Sequence, residues 1–310
     1  MTEIAYSEEI LRAQDGIGLF CRSWAPMAAS AAVLGNGPAS PSIASASEPL
    51  SVTASPPRAV IVIAHGLADH SGRFTHVAEH FAGLGYAVYA YDHRGQGKSG
   101  GARGHVERFE QFYDDLGCVV RTAKERFPGR KLFLIGHSMG GLIVLGYASA
   151  HPAAIDGVIA SSPCLELRMK VAEFTRRLVM AISRIAPKIA LDTGIPAENL
   201  SHDKKIVADY KADEIRYPKI TTRFYVEFDR AMRDVRAGAG SFSTPCLFMP
   251  GGADPICSTE STAAFYEADP CSDKKLVVWD GLFHEIFNEP EKDQVLATAD
   301  AWICEREGRQ

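Results

Sequence analysis

The sequence predicts an α/β fold in which helices cover both faces of a mostly parallel β-sheet. Two observations predict it: short, continuous apolar runs recur along the chain, and stretches with helical spacing lie between them. A continuous apolar run is typical of a strand that is buried on both faces. Six such runs are present, at residues 60–64, 87–91, 132–135, 158–160, 246–249 and 276–279.

The stretches between these runs contain amphipathic helical patterns. One of them places apolar residues at helical intervals from Leu116 to Phe127, with acidic residues at the end where negative charge stabilises a helix. Before the first run, residues 4–24 predict a β-hairpin, because Asp15-Gly16 is a strong signal for a tight turn.

The chain has 310 residues, of which 46% are hydrophobic, and this favours one large domain with an insertion. The alternation of strands and helices breaks between 164 and 240, where charged helical sequence replaces the buried-strand runs. This segment predicts a helical cap over a core formed by residues 1–163 and 241–310. Residues 27–57 are rich in Ala, Ser, Pro and Gly and predict a flexible insertion.

Composition and charge argue against several classes of protein. The formal net charge of −5 and the lack of a basic block argue against nucleic-acid binding. The seven cysteines form no C-x-x-C pair, so neither a zinc ribbon nor a disulfide framework is indicated. The N-terminus does not resemble a signal peptide, and no apolar run is long enough to span a membrane. We therefore expect a soluble, cytoplasmic protein, whose oligomeric state the sequence leaves open.

The strongest chemical signal is Gly136-His137-Ser138-Met139-Gly140. It follows a predicted strand and precedes a run compatible with a helix, which is the context that a nucleophile elbow requires. The two glycines permit a tight turn that leaves the serine exposed above the edge of the sheet. We therefore interpret Ser138 as the nucleophile of an enzyme with the α/β-hydrolase fold.

A serine hydroxyl is a weak nucleophile, so a general base has to take its proton. In this fold an acid and then a base follow the serine along the chain. His284 is the predicted base because it follows the last predicted strand, whereas His151 ends the helix of the elbow and His202 lies in the cap. Asp254, in the loop after the preceding strand, is the predicted acid, and Asp280 is its competitor.

Acyl transfer through a serine also requires backbone N–H donors that stabilise the developing oxyanion. Met139, the residue after the nucleophile, is the expected first donor. Leu67 is the expected second donor, because Gly66 lets the loop after the first apolar run approach closely.

At this point the sequence resembles a family, the monoglyceride lipases and bacterial lysophospholipase-like hydrolases. Residues 65–74 are similar to its H-G-x-x-x-H-S-x-R-[YF] segment, 92–99 to its D-x-x-G-x-G-x-S loop, and 136–141 to its G-H-S-M-G-G motif. Residues 252–254 and 283–284 match its acid and base segments, and the order and spacing hold from about 58 to 304.

The resemblance implies a helical cap over an acyl-binding tunnel, with Ser138, Asp254 and His284 as the catalytic triad. It also places Cys257 where some monoglyceride lipases carry a cysteine near the end of the site that binds glycerol. Cys257 is therefore a candidate substrate-binding residue, and His137, within the elbow motif, is a second candidate. The likeness is loose in the cap, which sets the substrate, and residues 27–57 are an insertion relative to the family.

The predicted cap carries an apolar stripe. Its members follow helical spacing and are Val171, Phe174, Leu178, Ile182 and Ile185. Packing on the main domain, contact with a membrane surface and contact with an acyl chain are all compatible with such a stripe. We hypothesise a mixed role in which Phe174 and Leu178 line part of an acyl pocket, with transient membrane contact through the cap.

Two further motifs are incomplete. His76 and His80 belong to an H-x-x-E-H pattern, but a zinc site also needs a third ligand, and a packed helix explains the pattern. Gly97-Lys98-Ser99 resembles the end of a P-loop, but Asp92 stands where its first glycine belongs. We therefore predict neither a metal nor a cofactor.

The sequence thus predicts a serine hydrolase that cleaves a carboxylic ester through an acyl-enzyme. By resemblance, the substrate is a monoacylglycerol or a lysophospholipid. A broad-specificity esterase, a thioesterase or an aminopeptidase of the same fold is an alternative, because fold and triad do not choose the leaving group. A homologue that binds a ligand without turnover is the alternative from a different class.

Overall fold

The computed structural model describes residues 3–27, 56–168 and 172–308. The predicted flexible insertion therefore lies almost entirely outside the described residues. The strands are β1 (Ile4–Arg12), β2 (Gly18–Pro26), β3 (Val60–Ala64), β4 (Ala87–Tyr91), β5 (Leu132–His137), β6 (Gly157–Ser161), β7 (Ala190–Asp192), β8 (Lys219–Thr221), β9 (Cys246–Met249) and β10 (Lys274–Leu276). Eight of them form the main sheet, in the order β1-β2-β4-β3-β5-β6-β9-β10.

The pairing of the strands confirms the predicted mostly parallel sheet. β1 and β2 form the predicted antiparallel hairpin, and β2 joins the sheet antiparallel to β4. All the remaining pairs, from β4 through β3, β5, β6 and β9 to β10, are parallel. Parallel neighbours need crossover connections, and these are helical here. The helices are α1 (Thr75–Gly83), α2 (Glu110–Arg126), α3 (Met139–Ala150), α4 (Glu173–Ile185), α5 (Lys204–Ala212), α6 (Thr222–Ala237), α7 (Thr259–Ala268) and α8 (Lys292–Glu307).

The core is divided by the sheet into two hydrophobic clusters. Along β3, Val60 and Val62 face the cluster that contains residues of α2 and α3. Ile61 and Ile63 face the other cluster, which contains residues of α1 and α8. Successive side chains of a strand point to opposite faces, so a strand covered on both sides needs an unbroken apolar run. This is the physical reason why the central strands were readable from the sequence.

The sixth predicted strand was misplaced. The structure places β10 at Lys274–Leu276, whereas the apolar run begins at Leu276 and ends at Trp279. Among the described strands, β10 lies at the edge of the sheet next to β9, and Val278 beyond it is 39% exposed. After β10 the chain still runs beside the end of β9, where single backbone hydrogen bonds hold it. In one of them, the Trp279 N–H donates to the Pro250 carbonyl at 3.0 Å. A continuous apolar run is typical of a strand that is buried on both faces. This segment lies at the edge of the sheet and is not buried in that way, so the run did not mark the strand.

The segment between β6 and β9 contains α4, α5 and α6 together with a small antiparallel ribbon of β7 and β8. The sequence pattern did not predict the ribbon, because its strands are short and β7 is largely exposed. α6 anchors the segment to the core: Phe228 stacks on Phe109 with ring centroids 6.0 Å apart, and Phe224 packs on Phe112 at 5.9 Å. In contrast, α4 lies on the outside and buries only Ser183.

None of the helices within residues 3–27, 56–168 and 172–308 is both long enough and apolar enough to cross a lipid bilayer.

Candidate active site

Ser138 occupies a sharp turn between β5 and α3. Its backbone has φ 56° and ψ −118°, a conformation that is costly for a residue with a side chain. The turn is held by the Ser138 N–H, which donates to the Ser161 carbonyl at 3.0 Å, and by the Cys164 N–H, which donates to the Ser138 carbonyl at 2.9 Å. The strain is therefore imposed by the surrounding backbone, as expected of a nucleophile elbow.

The two glycines of the motif are required by close packing. A Cβ at Gly136 would lie 2.4 Å from the carbonyl oxygen of Gly140, and a Cβ at Gly140 would lie 2.0 Å from the carbonyl oxygen of Ala64. Both distances are shorter than real Cβ contacts. The helix that follows Ser138 can therefore approach β3 and β5 only when these positions have no side chain.

The structure brings Asp254 and His284 together from the loops that follow β9 and β10. The Nδ1 atom of His284 donates to Oδ2 of Asp254 at 2.7 Å, which leaves Nε2 free to accept a proton. The other carboxylate oxygen, Oδ1, accepts from the N–H groups of Ile256 at 2.8 Å and Cys257 at 3.0 Å. Asp254 is thereby held in one orientation and fixes the tautomer of the imidazole.

The pKa values of this pair are shifted in the directions that a base and its acid partner need. Burial by itself would lower the pKa of His284, but the adjacent Asp254 carboxylate outweighs it and raises that pKa above its usual range. Burial would raise the pKa of Asp254, but the imidazolium charge and the hydrogen bonds to its carboxylate lower it. Asp254 is therefore ionised when His284 becomes charged.

The competing residues lie elsewhere. Asp280 is exposed, and its α-carbon packs beside Gly252. His202 pairs through Nδ1 with Oε1 of Glu289 at 2.9 Å, and His151 forms the C-terminal cap of α3. The structure thus places Asp254 and His284, rather than these alternatives, at the elbow.

The loop that carries Leu67 lies directly against Ser138. A Cβ added to Gly66 would be 3.3 Å from the Cβ of Ser138, so glycine permits this approach. Met139 is fully buried as the first residue of α3, where the positive end of the helix dipole stabilises negative charge. The loop that carries Leu67 and the first residue of α3, Met139, therefore both lie next to Ser138.

The sequence reasoning missed a histidine pair that holds this loop. His65 donates from Nδ1 to the Gly66 carbonyl at 2.7 Å, and its Nε2 accepts the N–H of His93 at 3.0 Å. The ring of His93 in turn donates from Nε2 to the His65 carbonyl at 2.9 Å. Burial lowers the pKa of His93 to about 4 and that of His65 well below its usual range, so both rings stay neutral. Both histidines lie inside the quoted motifs, which was the available signal.

The loop from Asp92 to Ser99 has a structural role. Asp92 accepts the backbone N–H groups of Ser71 at 2.8 Å and Lys98 at 2.7 Å, and thereby ties the loop to the segment after Leu67. A Cβ at Gly97 would lie 2.1 Å from a carboxylate oxygen of Asp92, and the φ of Gly97 is 48°. The glycine in this motif is therefore needed for the close approach to Asp92.

Two cavities meet beside Ser138. The first is a small cavity of about 20 Å³ with polar groups in its wall. Its wall is formed by Gly66, Leu67, Asp69, His137, Ser138, Ile195, Leu200, Tyr210, Ile256, His284 and Glu285. His137, a predicted substrate-binding residue, lies in this wall with its ring 4.7 Å from that of His284.

The second cavity has a volume of about 230 Å³ and is mainly apolar. It shares Leu67, Ile195 and Ile256 with the first cavity, so the two are adjacent. Its wall also contains Leu167, Thr175, Val179, Leu191, Asp192, Thr193, Ile220, Tyr225, Phe228, Asp229 and Met232. Most of these residues belong to the segment between β6 and β9, which therefore shapes the cavity.

The predicted role of Phe174 and Leu178 in lining this cavity was wrong. Phe174 is 78% exposed and Leu178 is 48% exposed, and α4 presents Thr175 and Val179 to the cavity instead. Helical spacing identifies an apolar face but not the direction in which it points, and here that face is turned outward. Val171, the first member of the predicted stripe, lies outside the described residues.

The structure also does not place Cys257 on the wall of either cavity. Cys257 is buried beside Asp254 and His284, with its sulfur and the ligand atoms of these two residues all within 4.8 Å of one another. Its backbone N–H donates to Asp254, and its thiol interacts with the side chains of Cys164 and Ser138. In the H-x-x-E-H pattern, the ring of His76 donates to the Phe287 carbonyl at 2.9 Å, and His80 packs edge-on against Phe81.

The fold and the site define the class of the protein. A mostly parallel sheet, a strained serine between a strand and a helix, and an Asp–His pair in the two later loops are the features of an α/β-hydrolase. The chain is a serine hydrolase.

Comparison with known proteins gives the family. The family model described as serine aminopeptidase, S33, matches residues 55–291, and the chain belongs to this family.

Three similar proteins are a monoacylglycerol lipase, a phospholipase and a second, structurally determined monoacylglycerol lipase. The chain is 34% identical to the monoacylglycerol lipase of Mycolicibacterium smegmatis, over 80% of this chain and 88% of the relative. It is 31% identical to the phospholipase YtpA of Bacillus subtilis, over 79% of this chain and 95% of that protein. The crystal structure of Paleococcus ferrophilus monoacylglycerol lipase superposes with a TM-score of 0.76 at 32% identity, over 81% of this chain and 96% of that one.

Proposed function

We propose that this protein hydrolyses the carboxylic ester of a monoacyl lipid, a monoacylglycerol or a lysophospholipid, through an acyl-enzyme. The observation that carries the proposal is that His284, which contacts Asp254 at 2.7 Å, lies in the same cavity wall as Ser138, next to an apolar cavity. The names of the relatives support the substrate class. A panel of p-nitrophenyl esters, a monoacylglycerol, a lysophospholipid and an aminoacyl anilide tests the proposal.

The proposed reaction begins with attack of the Ser138 Oγ on the ester carbonyl carbon. His284 accepts the hydroxyl proton at Nε2, and Asp254 stabilises the imidazolium that forms. The backbone N–H groups of Leu67 and Met139 stabilise the oxyanion. When the intermediate collapses, the alcohol leaves with the proton from His284. A water molecule, activated by the same histidine, then releases the fatty acid from Ser138.

The apolar cavity is the proposed site of the acyl chain. Replacing Val179 with Trp would fill part of it, so we expect the activity on long-chain esters to fall relative to short-chain esters by at least about tenfold. The ratio of kcat/KM for a C12 and a C4 p-nitrophenyl ester measures this. Phe174→Trp is the matched control, because Phe174 is on the same helix and outside the cavity wall. An unchanged ratio in Val179→Trp would place the acyl chain elsewhere.

The outward face of α4 supports transient contact with a membrane surface. Phe174, Leu178 and Ile185 are 78%, 48% and 86% exposed and lie on one side of the helix. Exposed apolar side chains with nearby cationic residues, here Arg184 and Lys188, are typical of helices that lie in a lipid interface.

Replacing Phe174, Leu178 and Ile185 together with Ser is expected to weaken binding to lipid vesicles by about tenfold or more, since three apolar side chains no longer leave water. Cosedimentation with anionic vesicles measures the binding. The kcat/KM for a soluble butyrate ester is the control and should stay within about twofold, because these side chains are outside both cavities. Equal vesicle binding by both proteins would contradict the proposed contact.

We also propose that the protein resides in the reducing environment of the cytoplasm, and the state of its cysteines supports this location. All seven cysteines are free, and structural disulfides are rare in that compartment.

A further inference from the structure

Two carboxylates lie in the wall of the small cavity, beside the proposed nucleophile and base. Asp69 is two residues beyond Leu67 and is 3% exposed, and Glu285 directly follows His284 and is 5% exposed. No step of the proposed reaction uses either group. Their position on the cavity wall therefore requires a separate explanation.

In the proposed reaction, the leaving group departs on the side of the small cavity, because His284 lies in its wall. His284 returns its proton to the leaving alcohol, so the alcohol oxygen has to lie next to Nε2 of His284. The acyl chain has the larger apolar cavity on the other side of the shared residues Leu67, Ile195 and Ile256. The head group of the substrate is thus brought towards Asp69 and Glu285.

The cation that pairs with these two carboxylates, Arg73, carries one positive charge against their two negative charges. Arg73 forms a bidentate pair with Glu285, with both N–O distances 2.7 Å, and its contact with Asp69 is longer, at 3.4 Å. The guanidinium also stacks on the ring of Tyr210 at 4.8 Å. Arg73 is not one of the residues that form the cavity wall. Its N–H groups are directed at the two carboxylates.

Both carboxylates are ionised in mildly alkaline solution. Burial would raise the pKa of Glu285, but Arg73 outweighs it and the pKa falls to about 2. Burial raises the pKa of Asp69 to about 6, against the opposing effect of Arg73. The two carboxylates share one directly paired guanidinium, which leaves a negative charge on a wall where screening by solvent is weak. The next guanidinium, that of Arg216, lies against the ring of Tyr210 at 4.1 Å and not against either carboxylate.

We propose that Asp69 and Glu285 are specificity-determining residues that disfavour substrates with an anionic head group, so that the enzyme prefers neutral monoacylglycerols to phosphate-bearing monoacyl lipids. This inference rests on the proposed function and narrows its substrate class. The physical reason is that a phosphate held close to two carboxylates in a poorly screened cavity is repelled, whereas a glycerol hydroxyl is not.

The test compares two soluble substrates with the same acyl chain, 1-octanoylglycerol and 1-octanoylglycerol 3-phosphate, at about pH 8. We expect the wild type to have a kcat/KM at least about tenfold higher for the neutral substrate. Asp69→Asn and Glu285→Gln each remove one charge at nearly constant volume and should lower this preference several-fold. Asp280→Asn is the matched control, since Asp280 is an exposed carboxylate in the loop before His284 and is outside the cavity wall.

The preference ratio is independent of how much active enzyme each preparation contains, so partial misfolding of a variant does not affect it. Equal activity of the wild type on both substrates would overturn the inference, as would a preference that neither variant reduces. Hydrolysis of p-nitrophenyl esters without hydrolysis of either lipid would instead overturn the proposed function. The two failures are therefore distinguishable.

Discussion

Replacing Ser138 with Ala is expected to lower kcat for ester hydrolysis by on the order of 10⁶-fold, the loss that removal of the nucleophile causes in other serine hydrolases. The physical reason is that no acyl-enzyme can form without the hydroxyl, and the oxyanion donors alone give only a small residual rate. Hydrolysis of a p-nitrophenyl ester measures the rate. Covalent labelling by a fluorophosphonate, which reacts with activated serines, should be lost in parallel.

The matched control for this variant is Ser149→Ala. Ser149 is on the same helix, is exposed, and donates only to the Leu145 carbonyl of its own helix. Its replacement should leave both turnover and labelling unchanged. Turnover that survives in Ser138→Ala would remove this serine from the mechanism. Ligand binding without turnover in the wild type would favour the non-catalytic alternative.

Replacing Asp254 with Asn is expected to reduce kcat by roughly 10⁴-fold, because the amide no longer holds the tautomer of His284 that leaves Nε2 free to accept a proton. The same variant should alter the pH profile. His284 has to be neutral to act as a base, and its raised pKa means that wild-type activity is lost as the pH falls through a value above 6.5. Without the Asp254 carboxylate, burial dominates, so this acidic limb should move to lower pH.

The pH dependence of kcat/KM for a soluble ester, measured on the wild type and on Asp254→Asn, checks both expectations. Asp280→Asn is the control, because Asp280 was the competing acid and is exposed, whereas His284 pairs with Asp254. It should retain both the rate and the acidic limb of the wild type. A larger loss in Asp280→Asn than in Asp254→Asn would reverse the assignment of the acid.

The sequence by itself determined the features that depend on local pattern. The central strands were predicted because burial on both faces demands unbroken apolar runs. The elbow was predicted because its G-x-S-x-G motif lies between a predicted strand and a run compatible with a helix. The candidates Asp254 and His284 followed from chain order in this fold, since loops after parallel strands meet at one edge of the sheet. In the structure these two side chains are in contact, with 2.7 Å between Nδ1 of His284 and Oδ2 of Asp254.

Only the tertiary structure decided which side chains share a cavity. The apolar stripe of α4 was visible in the sequence, but its outward direction depends on how α6 anchors the segment to the core. The proximity of Asp69 and Glu285, which are 216 positions apart by their numbers in the chain, was equally invisible, because no local pattern links them. Periodicity describes one element at a time, whereas a binding site depends on contacts between elements, and these are set by packing.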